Sequence, residues 1–183
     1  MSRHSKWSKV KQFKGAIDAK RSASFTKLAR EITVAAKEKG GDPAMNARLR
    51  AAIDRAREDS MPKENIDRAI QRGIGGGVEG HIETLTYKAY ASGGIALIIM
   101  CLTDNRNRTA GDIKHLLSQH GGTLAAPGSV TYLFDRKFDA SQQVEWVPKM
   151  LLEMDEAAGT KVAELIDELE THDDVSHVFS NLA

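Results

Sequence analysis

The feature that most constrains this chain is a change of hydrophobic period across one glycine cluster. Segment 73–80, GIGGGVEG, places five glycines in eight positions. Before it, apolar residues recur at spacings of three and four, as in amphipathic helices. After it they alternate or run on continuously, as in strands. Glycine at that density supports neither pattern. The organisation expected is therefore a helical domain at 1–73, a glycine-rich hinge at 74–80 and a mixed body beyond it.

Within the helical part, Trp7, Val10, Phe13 and Ile17 mark one helix, with Ser5 available as its N-cap. Phe25, Leu28, Ile32 and Ala36 mark a second, ended by Gly40 and Gly41. Asp42 before Pro43 predicts the start of a third, with Met45, Leu49, Ala52, Ile53 and Ala56 on one face. A fourth follows SMPKEN, with Ile66, Ala69 and Ile70 inward and Gly73 as its C′ residue. Beyond the glycines, HIETLTYKAY and IALIIMCL read as strands, TDNRNRT as a loop, and AGDIKHLLSQHGG as a helix closed by Gly121. SVTYLF reads as a third strand, TKVAELIDELE as a helix and VSHVFS as a last strand. The order ββαβ…αβ predicts an α+β fold with a ferredoxin-like sandwich over 81–135 and 159–183. Residues 136–158 fit this scheme least well.

Composition narrows the function. One cysteine, Cys101, excludes an internal disulfide and a Cys-rich zinc site, and its apolar surroundings make it a core residue. The longest apolar run, 95–102, is too short to cross a bilayer, and the basic N-terminus lacks the apolar stretch of a secretory signal. A cytoplasmic protein without a membrane partner is expected. Gly75-x-Gly77-x-x-Gly80 matches a dinucleotide fingerprint in letters, but it lies between a helix and a strand, the reverse of the order that chemistry needs. Ser60-x-x-Lys63 matches an acyl-transferase signature without its partner motifs. The pairs His115/His120 and His172/His177 are five apart, a spacing that suits no shared ligand. No enzyme, cofactor or metal is expected.

The net charge of +1 hides a polarity. Residues 1–30 hold nine Lys/Arg against Asp18 alone, and residues 139–183 hold eleven Asp/Glu against Lys149 and Lys161. Such polarity orients the molecule towards an anionic partner. The Arg48/Arg50/Arg55/Arg57 ladder lies beside Asp54, Glu58 and Asp59, so i,i+4 pairing is expected to neutralise about half of it or more. The N-terminal lysines have only Asp18 near them, and phosphates are the simplest counter-charge. The candidate nucleic-acid-binding residues are Lys6, Trp7, Lys9, Lys11, Lys14, Lys20, Arg21 and Lys27, with Arg106 and Arg108 in TDNRNRT. Trp7 is open between packing in the helical domain and stacking on a base.

HSKW, DAKRSASFTKLAREITVAAK, GGDPAMNARLRAAID, MPKENIDRAI, CLTDNRNRT and GSVTYLFDRK together resemble the YebC/PmpR family, which includes the mitochondrial translational activator of cytochrome c oxidase. The likeness covers 1–137 and resumes near Val144. It implies a three-domain cytoplasmic protein without enzymatic activity. Family members are described as DNA-binding transcriptional regulators or as ribosome-associated translation factors that help peptide-bond formation on difficult sequences such as proline runs. The partners implied are rRNA or tRNA on the ribosome, or promoter DNA. A protein-interaction module using the acidic C-terminal segment is a further alternative. The family usually inserts a small third domain after YLFDRK. Only about twenty residues stand there in this chain, and VEWVP reads as the exit strand of that insert, left without partners.

Overall fold

The computed structural model describes the backbone of residues 4–75 and 81–183, and side chains from residue 22 onward within those ranges. The helical part consists of α1 (His4–Lys39), α2 (Ala47–Glu58) and α3 (Lys63–Ile74). The two N-terminal helices expected from the sequence are one. The apolar stripe lapses around Arg21 to Ser24, which reads as a break. The backbone continues because no proline interrupts it and the hydroxyl-bearing residues bond within the helix: Thr26 Oγ1 donates to the Ser22 carbonyl (3.1 Å) and Thr33 Oγ1 to the Ala29 carbonyl (2.8 Å). Ser5 therefore lies inside the helix rather than capping it. Gly40, at φ +89°, ends α1.

Two further boundaries differ from expectation. Asn46, not Asp42, caps α2: its Oδ1 accepts from the Leu49 N–H (3.0 Å), while its Nδ2 donates to the carbonyls of Ala35 (2.8 Å) and Gly40 (2.9 Å). Met45 precedes the helix and is exposed rather than inward. Gly73 lies inside α3, where a Cβ would stand 2.5 Å from the Thr33 carbonyl oxygen and 2.7 Å from Ala36 Cβ. The glycine permits a close α1–α3 crossing instead of ending a helix. Ile32, Leu49, Ile53, Ala56 and Ile66 form the core of this bundle. Of the expected hinge, Ile74 and Gly75 belong to the end of α3, and 76–80 lie outside the described residues.

The body is an α+β sandwich. Its sheet runs β3–β1–β2–β6 through β1 (Glu83–Tyr90), β2 (Ala96–Thr103), β3 (Thr123–Leu124) and β6 (Val175–Ser180), with every neighbouring pair antiparallel. Helices α4 (Arg106–Gln119) and α5 (Glu156–Thr171) cover one face, where Leu97, Ile99 and Cys101 meet Ile113, Leu117, Val162, Leu165 and Leu169. TDNRNRT is mostly not a loop: Asn105 caps α4 by accepting from the Arg108 N–H (3.1 Å), so Arg106 and Arg108 stand in its first turn. SVTYLF is not one strand either. Thr131–Leu133 is a 3₁₀ turn leading into β4 (Phe134–Phe138). β4 pairs antiparallel with β5 (Val144–Pro148), so VEWVP does have a partner, and the two make a separate hairpin.

That hairpin explains why β2 is apolar on both faces. Ala96 and Ile98 pack under Val130, Phe134 and Trp146, and Leu102 packs against Val34 of α1 and Ile82. Covering both faces removes the polar–apolar alternation that a half-exposed strand would show. Met100 is the exception, the one residue of β2 that is not buried.

Candidate nucleic-acid interface

The N-terminal candidates all fall on α1. Lys6, Trp7, Lys9, Lys11, Lys14, Lys20 and Arg21 belong to its first half, on one continuous helix, and their side chains lie outside the described residues. At about 1.5 Å per residue, 4–21 extends over roughly 26 Å.

The other three candidates are engaged within the protein. Lys27 is half-buried, and its ammonium donates to the Glu170 carbonyl at the end of α5. Burial pushes this amine below its ordinary range. Arg106 pairs with Glu83 at 3.0 Å. Arg108 reaches Asp104 at 2.8 Å and Asp174 at 2.9 Å. The arginine ladder is also largely neutralised, though mostly across helices rather than along one: Arg48 pairs with Glu38 (2.5 Å) and Arg55 with Glu31 (3.0 Å), both on α1, while Arg57 pairs with Asp54 (3.4 Å). Arg50 is exposed and pairs with no acid among the described residues.

Asp174, in the turn between α5 and β6, is the residue that organises this region, and nothing in its sequence context marks it. It is 2% exposed and accepts from Arg30 Nη1 (2.6 Å), Thr109 Oγ1 (2.7 Å), Arg108 Nη2 (2.9 Å) and Thr103 Oγ1 (3.2 Å). Burial by itself would raise this carboxyl. The Thr109 and Arg108 hydrogen bonds and the Arg30 charge outweigh it and hold the carboxyl below the usual carboxylate range. Arg30 also donates to the Asp173 carbonyl (2.7 Å). One carboxylate thus ties α1 to β2, α4 and the turn before β6, clamping the helical part onto the body.

A cleft of about 500 Å³ opens over the uncovered middle of the second sheet face. Its floor follows from strand register: Thr84 and Thr86 of β1 lie opposite Leu102 and Met100 of β2, and His177 of β6 lies opposite Met100. Glu31, Glu38, Lys39 and Arg48 from α1 and α2 form one wall. The opposite wall is one face of the hairpin, where Arg136 is in register with Trp146 and Phe138 with Val144. The Arg136 guanidinium lies 5.3 Å from the centre of the Phe138 ring, and Phe138 is 59% exposed. Burial lowers the His177 imidazole below its ordinary range.

Residues 5–76 match the TACO1/YebC protein N-terminal domain, and residues 82–139 and 138–182 match the TACO1/YebC second and third domain. The two parts of the second match meet at the outer end of the β4–β5 hairpin. A "probable transcriptional regulatory protein" of Borrelia hermsii is 54% identical over 149 residues, covering 81% of this chain and 61% of that protein. One of Rubrobacter xylanophilus is 56% identical over 138 residues, covering 75% of this chain and 55% of that protein. This chain thus matches only about three-fifths of the length of such relatives. The crystal structure of a conserved hypothetical protein from Aquifex aeolicus superimposes with a TM-score of 0.83 at 32% identity, covering 91% of this chain and 92% of that one. With both matched regions in chain order and together spanning nearly all of its residues, the chain belongs to the TACO1/YebC family.

Proposed function

We propose that this chain is a non-enzymatic, nucleic-acid-binding regulator of gene expression that acts on the ribosome as a translation factor. The observation that carries the reading is the continuity of α1, whose segment 4–21 sets six Lys/Arg against Asp18 along one helix. A rigid rod with that charge follows a phosphate backbone, and each phosphate it neutralises releases counterions. The other sequence candidates support the assignment by contrast: Lys27, Arg106 and Arg108 are engaged within the fold, whereas the α1 run has only Asp18 beside it in the sequence.

Transcriptional regulation on duplex DNA is the second reading, favoured by the names its relatives carry. α3 follows α2 across the short turn 59–62 and carries Asn65, Arg68, Gln71 and Arg72, which supports this reading; it stands second because the basic run lies on α1, outside that helix pair. Sedimentation through a sucrose gradient at moderate salt separates the two. The translation reading expects the tagged chain among ribosomal particles. Recovery only in the free fraction, together with tight sequence-specific gel shifts on duplex DNA, would reverse the order.

A further inference from the structure

We propose that the cleft between α1/α2 and the β4–β5 hairpin binds one nucleotide of a single-stranded nucleic acid, its base stacked on Phe138 and its phosphate held by the cations of the rim. The site deepens the proposed function and rests on nucleic acid being the ligand, but it uses residues distinct from the α1 lysines.

Three features of the cleft select this ligand class. Its volume, about 500 Å³, lies within the roughly 300–1,000 Å³ of small-ligand sites. Its charge is unbalanced in one direction. Glu38 is hydrogen-bonded by Arg48 and Glu31 lies 3.0 Å from Arg55 without a hydrogen bond, whereas Lys39, Lys88 and Arg136 have no carboxylate partner among the described residues. Lys88 donates only to the Thr86 carbonyl, at 3.1 Å. Three uncommitted cations around one cavity call for an anion.

The third feature is an exposed aromatic face. Phe138 is 59% exposed and the Arg136 guanidinium stands over one face of its ring, 5.3 Å from the centre, so a planar group would stack on the opposite face with the cation on the far side of the ring. The edge of such a group would meet the hydroxyls of Thr84 and Thr86, which have no hydrogen-bond partner among the described residues, and the carboxamides at Gln142 and Gln143 on the same wall. The Trp146 indole N–H, also in this wall, is enclosed without an acceptor, a donor that an oxygen within the cleft would satisfy. An acidic peptide would satisfy the cations but would leave the aromatic face without a function.

The test uses the full chain, a labelled 12-nucleotide single-stranded RNA and fluorescence anisotropy over a salt series. Phe138→Ala is expected to weaken binding roughly 5- to 150-fold, the equivalent of about 1–3 kcal/mol for one base–aromatic stack, with an unchanged salt slope because stacking releases no counterions. Phe138→Leu, which keeps the apolar bulk, should lose nearly as much. Unaltered RNA affinity in both variants would overturn the cleft site while leaving the α1 reading intact. If the wild-type chain binds no RNA, titration with AMP and UMP decides. Saturable binding that Phe138→Ala abolishes would assign the site to free nucleotides, and no binding would overturn it. Tighter binding of a polyglutamate peptide than of RNA, lost in Arg136→Gln but not in Phe138→Ala, would overturn it in favour of a protein ligand.

Discussion

Replacing Asp174 by Asn tests the clamp that holds the helical part against the body. The substitution preserves shape and one acceptor oxygen, but it removes the charge and turns an N–H₂ towards Arg30, Arg108 or Thr109. Removing one partner of a buried ion pair costs about 3–5 kcal/mol. Arg30 is 17% exposed and bears most of that loss, while Arg108, at 45%, is screened by water and adds no more than about 1 kcal/mol. With one acceptor retained, the net expectation is about 2–4 kcal/mol, or roughly 5–15 °C in Tm for a chain of this size. The pH dependence follows from the depressed carboxyl. A group whose folded pKa lies below its unfolded value of about 3.9 contributes stability above that value and loses it as pH falls through the folded one. The stability gap between wild type and Asp174→Asn, read by urea unfolding at a series of pH values, should therefore be constant near pH 7 and shrink below about pH 4. Arg30→Met should cost less in the Asn background than in wild type, since the two share one interaction. A variant within about 0.5 kcal/mol of wild type at pH 7, or a gap independent of pH, would refute the clamp.

Other consequences are local. Gly73→Ala should destabilise by about 1–3 kcal/mol or more, because its Cβ meets the Thr33 carbonyl and Ala36, neither of which can move without separating α1 from α3; differential scanning calorimetry reads this. Asn46→Ala should cost about 2–4 kcal/mol in urea unfolding, through loss of the α2 cap and the stranding of two carbonyls. Burial raises the Cys101 thiol to about 12, so an aromatic disulfide reagent should label it at pH 8 only after denaturation; rapid labelling of the native chain would contradict its place in the core.

Legibility in the sequence followed the range of the interaction. Leu49, Ile53, Ile66, Ile113 and Leu165 announce themselves by period and Leu97 by its place in an unbroken apolar run, and all are core. The single helix α1 shows as two in the sequence because an apolar stripe reports packing rather than helix continuity, and around Arg21 the stripe lapses while the helix runs on. The role of Gly73 is not legible locally because glycine near the end of a helix serves either a terminus or a close crossing, and only the position of Thr33 distinguishes them. The cations were hardest to assign. Lys27 and Arg30 look like further members of the basic N-terminus, yet their partners, Glu170 and Asp174, are more than 140 residues away. The cleft was invisible for a related reason. It depends on where two covering elements stop short of each other over Met100, and no local pattern records a gap between distant segments.

The central claim is that the N-terminal half of α1 lies along a phosphate backbone, and the salt dependence of binding measures it directly. For single-stranded RNA, log K should fall with log salt at about −0.7 per phosphate neutralised, or about −0.9 for duplex DNA. Changing Lys6, Lys9, Lys11 and Lys14 together to Gln should flatten the slope by roughly two to four units. The melting temperature should stay within a few degrees of wild type, as for other surface charge changes. A quadruple variant with the wild-type slope would mean that these lysines are only a solvated surface, and the account would lose its binding element.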